Sequence, residues 1–256
     1  MRTITTAALG GLAISLLIAP PAWADTFQVN TIADRVDANI GDGVCTDARG
    51  RCSLRAAVQE ANSNPDADTI TLGAVRCRLT LAGAGEDAAA SGDLDVTSTI
   101  TITGAGSTVD ATGNDRVFDV LGSNLRVSGL TVTGGAPPST ESGGGFRSTG
   151  TLSISDSIVA GNGVVGTGAS GGGAFNSGGT LTVEDSTFDS NTATRAGGAI
   201  EANAGTTAVR RSTLSNNSTG SEPGNGGGQH LTDTGTVSVS NSRVVANTAN
   251  AEGGGL

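Results

Sequence analysis

Three acidic side chains, Asp156, Glu184 and Asp185, stand at matching places in neighbouring copies of a repeated segment. Two carboxylates at a set separation on one face are what glycoside hydrolysis needs. Clustered carboxylates holding Ca²⁺ beside a basic side chain would suit lyase chemistry on uronates. The next copy, however, carries Arg210 and Arg211 at those same places. A cross-coil charge ladder, Glu184 to Arg210 and Asp185 to Arg211, accounts for all four residues without catalysis. His230, the one histidine, follows a glycine triplet and reads as a solvated turn residue with no partner in sequence. The loop Asp37-Ala38-Asn39-Ile40-Gly41-Asp42-Gly43 fails the EF-hand order, because Asp42 stands at the sixth position, where glycine is required. A turn held by its own Asp and Asn side chains is the better reading. The sequence thus assigns no catalytic, cofactor-binding or metal-binding residue, and no cofactor is expected.

The three cysteines are interpretable once the chain is read as exported. Arg2 supplies a positive start, Ala7 to Ala19 an apolar stretch too short to span a bilayer, and Ala22-Trp23-Ala24 a small-residue cleavage site. Residues 1–24 are therefore read as a signal peptide, with no membrane span in the mature chain. In an oxidising compartment Cys45 and Cys52, seven apart around a polar loop, are expected to close a disulfide. Loop-closure entropy for that bridge is about 2.5 kcal/mol. Cys77 lies in an alternating stretch and is expected to remain a buried free thiol.

The elements that must position these groups are written in a repeat. Thr151 to Asn162, Thr180 to Asn191, Thr206 to Asn217 and Thr236 to Asn247 align, with starts 29, 26 and 30 residues apart. Each copy begins with Thr, has Ser seventh (Ser157, Ser186, Ser212, Ser242) and ends on Asn (Asn162, Asn191, Asn217, Asn247). Glycine pairs precede each copy, as at Gly144-Gly145 and Gly172-Gly173. Apolar residues alternate with Ser, Thr and charge, which is strand periodicity. A coil of this length suits a parallel β-helix, with aliphatic side chains stacked inward and the recurrent Asn as a coil-to-coil amide ladder. Leu152, Leu181, Thr207 and Val237 should form one inward column, and Ile154, Val183, Val209 and Val239 the next. Thr207 is then the polar flaw, costly unless its hydroxyl finds a carbonyl. Upstream, Ser53 caps a helix over Leu54 to Ala61 whose apolar side, Leu54, Ala57, Val58 and Ala61, would close the first coil. The fold expected is an all-β right-handed parallel β-helix with a helical cap: cap region 25–99, coils 100–256.

Composition agrees. There are 41 glycines, 2% aromatics, no Tyr and no Lys, and the net charge is −10. Such a surface repels phosphate backbones, so a nucleic-acid partner is disfavoured. Gly41-Asp42-Gly43-Val44-Cys45 followed by Cys52-Ser53-Leu54-Arg55-Ala56-Ala57-Val58-Gln59-Glu60-Ala61-Asn62 resembles the CSLREA-domain signature of exported bacterial β-helix proteins, with Ala56 where the signature has Glu. Asp68-Thr69-Ile70-Thr71-Leu72 and Gly92-Asp93-Leu94-Asp95-Val96 are similar to that family too. Gly197-Gly198-Ala199-Ile200 and Phe188-Asp189-Ser190-Asn191 resemble the short motifs of polymorphic outer-membrane adhesins. The resemblance implies a β-helix at a cell surface and no particular reaction.

The function expected is a secreted or surface scaffold of adhesin type, extracellular or at the cell surface, with a cell-surface or glycan ligand. The alternatives are a carbohydrate-active enzyme, either polysaccharide lyase or glycoside hydrolase, on the same fold, and a truncated fragment. An enzyme should gather at least three acidic or basic groups on one outward face. The last coil, opening at Gly253-Gly254-Gly255-Leu256, is expected to leave an edge that self-associates end to end. Thiol counting on denatured, unreduced protein should find one free thiol; three would refute the Cys45–Cys52 bridge.

Overall fold

Alternation of apolar and hydroxyl residues gives each repeat a strand with one side to bury. In the computed structural model, which describes residues 24–138, 140–220 and 223–256, these strands pair in parallel with their counterparts one coil along. The result is a right-handed parallel β-helix of about six turns. Of residues 1–24, the segment expected to be a signal peptide, only Ala24 is among the described residues. Among the described residues no helix is long and apolar enough to cross a membrane.

The coils have three faces. The first runs through Leu94–Val96, Phe118–Val120, Phe146–Ser148, the starts of Ala174–Glu184 and Ile200–Arg210, and Gln229–Leu231. The second begins at Thr26–Val29 and Asp68–Leu72 and continues through Thr151–Ser155 to Thr236–Ser240. The third includes Arg76–Arg78, Ile158–Ala160, Thr187–Asp189, Thr213–Ser215 and Arg243–Val245. Coil pairing thus already starts at Thr26, inside the segment taken as cap.

Both expected columns are in register, Leu152–Leu181–Thr207–Val237 and Ile154–Val183–Val209–Val239. They are buried as far as Thr207 and Val209 and half-buried at Val237 and Val239. Thr207 finds an amide rather than a carbonyl: Asn176 Nδ2 donates to its Oγ1 at 3.1 Å. The Asn ladder is continuous, with Nδ2 to Oδ1 distances of 3.0 Å from Asn162 to Asn191, 3.0 Å from Asn191 to Asn217 and 2.9 Å from Asn217 to Asn247. Each Asn amide also donates to a carbonyl of the preceding coil, as Asn191 does to Val159 at 2.8 Å. The recurrent Ser does related work, since the Ser157 and Ser186 backbone N–H groups donate to Ser186 Oγ and Ser212 Oγ, both at 3.1 Å. At Gly172 a Cβ would lie 2.3 Å from the Thr192 carbonyl oxygen and 2.5 Å from that of Gly198. Only glycine allows coils this close.

The cap helix is Leu54–Ser63, N-capped by Ser53, whose Oγ accepts from the Ala56 N–H. Its polar residues tie loops to the first coils. Arg55, fully buried, pairs with Asp34 at 2.6 Å and donates to the carbonyls of Ala89, Gly92 and Asp93. Gln59 accepts from the Asp37 N–H, Glu60 from those of Gly41 and Gly43, and Asn62 donates to the Asp95 carbonyl. Cys45 and Cys52 are joined by a disulfide across 5.0 Å between Cα atoms. Cys77 is free and buried, and that burial pushes its thiol up to about 11. In the Asp37–Gly43 loop, the Asp37 carboxylate accepts from the Asn39 and Thr46 N–H groups and Asn39 donates to Asp42.

Breaking a buried ion pair costs about 3–5 kcal/mol. Arg55→Met strands three carbonyls besides, so the urea midpoint should fall by a corresponding amount; a shift worth under about 1 kcal/mol would show that the cap does not depend on Arg55.

Candidate functional site

The first face carries the chemistry. In Leu94–Val96 and Phe118–Val120 the outer residues of each triplet point inward, where the Phe118 and Phe146 rings stack 5.3 Å apart. The middle residues point outward and fall in register, one per coil: Asp95, Asp119, Arg147, Phe175, Glu201, His230. The row therefore carries ionisable side chains at both ends.

At the first end Asp93 joins Asp95 and Asp119. One carboxylate oxygen from each lies within 4.8 Å of the other two. The turns entering these strands fold over the row. Arg116 Nη1 lies 3.1 Å from Asp93 Oδ2 and 3.4 Å from Asp119 Oδ2, while its Nη2 bonds Glu141. Arg147 Nη2 bonds Asp119, and Asp95 Oδ2 accepts from the Ala89 N–H at 2.8 Å. Asp95 and Asp119 are only 1% exposed. Burial, followed by repulsion from Asp95 and Asp115, pushes Asp93 up to about 8. Burial, with Glu86 and Asp119 nearby, pushes Asp95 up to about 7, against the Ala89 hydrogen bond that lowers it. Burial raises Asp115 too, although the hydrogen bond from the Arg116 backbone opposes it.

At the other end Glu201 is fully buried. Its Oε2 lies 3.0 Å from His230 Nδ1, and Thr232 Oγ1 donates to its Oε1 at 2.5 Å. His230 is thus not the solvated, partnerless turn residue expected. It sits in a strand, one coil step from Glu201, each of the two standing three residues after a glycine pair, Gly197-Gly198 and Gly226-Gly227.

The charge ladder also needs correcting. Glu184 and Arg210 are register partners, yet Glu184 pairs with Arg211 at 3.0 Å, and Arg211 also takes Asp185 at 2.8 Å. Asp185 and Arg211 occupy turn positions with φ of 49° and 47°, which swing their side chains out of the strand alternation. Arg210 has no ion pair among the described residues, and exposed Asp156 joins no carboxylate cluster. The groups that do converge lie on the first face instead. Their signal is an Asp between inward apolar residues, Leu94-Asp95-Val96 and Phe118-Asp119-Val120, repeated one coil apart.

No protein-family model, no curated protein and no solved structure matches the chain.

Asp93 and Asp95 hold protons in the fold well above the ordinary aspartate value of 3.8, so the folded chain binds more protons than the unfolded one across that window. Their favourable contribution is complete below about pH 4 and is lost as pH rises through about 7 and 8. With chelator present, the melting temperature should fall from pH 5 to pH 9, and Asp93→Asn should flatten the fall. Identical slopes for the two proteins would contradict the assignment.

Proposed function

We propose that the chain is exported and displayed at or beyond the cell surface, where its β-helix serves as a binding scaffold of adhesin type. The observation that carries this reading is the outer surface of the second face. Thr99, Asn124, Thr151, Thr180, Thr206 and Thr236 stand in one register row. Thr101, Arg126, Ser153 and Thr182 stand in the next. Between adjacent coils these donors and acceptors repeat about every 4.8 Å. A shallow trough of about 370 Å³ runs beside them, lined by Thr101, Arg126, Ser128, Ser153, Thr182 and Glu184. Hydroxyls at regular spacing, with Arg126 among them, suit a sugar polymer or a polar cell-surface ligand lying along the solenoid. The CSLREA-like segment supports export, and its Arg55, Gln59, Glu60 and Asn62 are engaged in holding the cap.

A carbohydrate-active enzyme is the second reading, favoured by the three carboxylates and two guanidinium groups gathered on the first face. Against it, Asp95 and Asp119 lie beneath Arg116, Arg147 and the Ala89 segment, where a polysaccharide would not reach them.

Cell fractionation should find a mature chain beginning near Asp25 outside the cytoplasm. The purified protein, screened against glycans and intact cell surfaces, should bind a defined subset. Arg126→Glu, at an exposed position, should weaken binding about tenfold, or ~1.4 kcal/mol, with the melting temperature unchanged. Binding indifferent to Arg126 would remove the trough from the proposal. Release of reducing ends or unsaturated uronates from a polysaccharide would favour the enzyme.

A further inference from the structure

We propose that Asp93, Asp95 and Asp119 form a binding site for one hard divalent cation of calcium type, which locks the cap onto the first coils. The three carboxylates converge within 4.8 Å, a span that an ion with bonds of about 2.4 Å bridges. Convergence of acids would not suffice alone. The second observation is that Asp95 Oδ1 and Asp119 Oδ1 are buried with no hydrogen-bond partner, in side chains only 1% exposed. A buried carboxylate oxygen that no donor reaches is costly, and a cation is the partner that satisfies several at once. The hydrogen-bond donors are already committed elsewhere. Ala89 N–H serves Asp95 Oδ2, and Arg116 and Arg147 serve Asp119 Oδ2.

Charge points the same way. Once ionised, Asp93, Asp95, Asp119 and Glu141 would present four negative charges to two guanidinium groups, Arg116 and Arg147, with Asp115 beside them. A dication would offset most of that excess. The donors are carboxylate oxygens, which select Ca²⁺ or Mg²⁺ over softer metals, and water would complete the shell.

The site's position gives the ion a task. Asp95 holds the Ala89 N–H through its carboxylate and Asn62 of the cap helix through its carbonyl. The carbonyls of Ala89, Gly92 and Asp93 are in turn gripped by Arg55. An ion joining Asp93 and Asp95 to Asp119, one coil further along, therefore couples the cap helix to two successive coils. This inference does not depend on the adhesin reading.

The test uses the purified full-length protein, stripped with chelator and titrated with Ca²⁺, Mg²⁺ and luminescent Tb³⁺. One saturable site per chain is expected, together with a rise in melting temperature on Ca²⁺ addition. Asp95→Asn and Asp119→Asn should each weaken binding at least tenfold, whereas Asp156→Asn, at an exposed turn, should bind as the wild type does. If either cluster variant fails to fold, the wild-type titration decides by itself. Absence of saturable binding of any of the three ions at millimolar concentration would overturn the proposal. So would binding that survives both cluster substitutions.

Discussion

Parallel coil-to-coil pairing is the constraint from which the rest of this structure follows. Each strand both donates hydrogen bonds to and accepts them from the coil before and the coil after, so no coil is satisfied by itself. Pairing forces every residue to stack on its counterpart, and any inward polar residue must then be answered by a neighbour in the stack. It also means that the first coil needs something on its outer side. The cap supplies an apolar stripe, Leu54, Ala57, Val58 and Ala61, that joins the same core as Phe27 and Ile70. The stripe covers side chains; the loops that close around it still carry carbonyls and N–H groups. Arg55, Gln59, Glu60 and Asn62 satisfy those, which is why four of the five polar residues in a ten-residue helix, all but Ser63, bond to groups outside it.

Buried polarity in the coils is handled by repetition. A lone buried Asn would have several unanswered hydrogen-bonding groups, but Asn191 accepts from Asn162 and donates to Asn217 and Val159. The ladder answers each member with the next. The Ser column does the same where the chain turns from the second face to the third. Thr207 shows the cost of leaving the pattern. Its hydroxyl has no copy above or below, as its column neighbours are Leu181 and Val237, and Asn176 must reach across to meet it.

The same logic decides what could be read from the sequence. The second and third faces and their corner were legible because Thr, Ser and Asn recur at set offsets within one twelve-residue segment. The columns of Leu152 and Ile154, the Asn ladder and the helical lid all follow from local periodicity. The first face was legible only in part. Gly143-Gly144, Gly171-Gly172, Gly197-Gly198 and Gly226-Gly227 stand at one offset before Arg147, Phe175, Glu201 and His230, whereas no such glycine pairs precede Asp95 and Asp119, whose shared signal is only an Asp between two apolar residues. Arg211 escaped for a different reason. Its left-handed φ takes it off the strand alternation that the charge ladder assumed, and that is how it reaches both Glu184 and Asp185.

These two kinds of face differ in what sequence change can do to them. Along the inward columns each residue is constrained by two neighbours of the same kind, and substitution disturbs a stack. Along the outward row of the first face, neighbours are Asp95, Asp119, Arg147, Phe175, Glu201 and His230, and no two adjacent coils after the first pair share a residue type. The backbone ladder holds that row at one spacing whatever side chains it bears, so charge can be varied coil by coil without altering the core. Where like charges stack, as Asp95 does on Asp119, the row's next member, Arg147, bonds Asp119, and Arg116 from an entering turn pairs with both Asp119 and Asp93. The fold's rigidity lies in the repeat, and its chemical individuality lies in the irregular turns that close over one face.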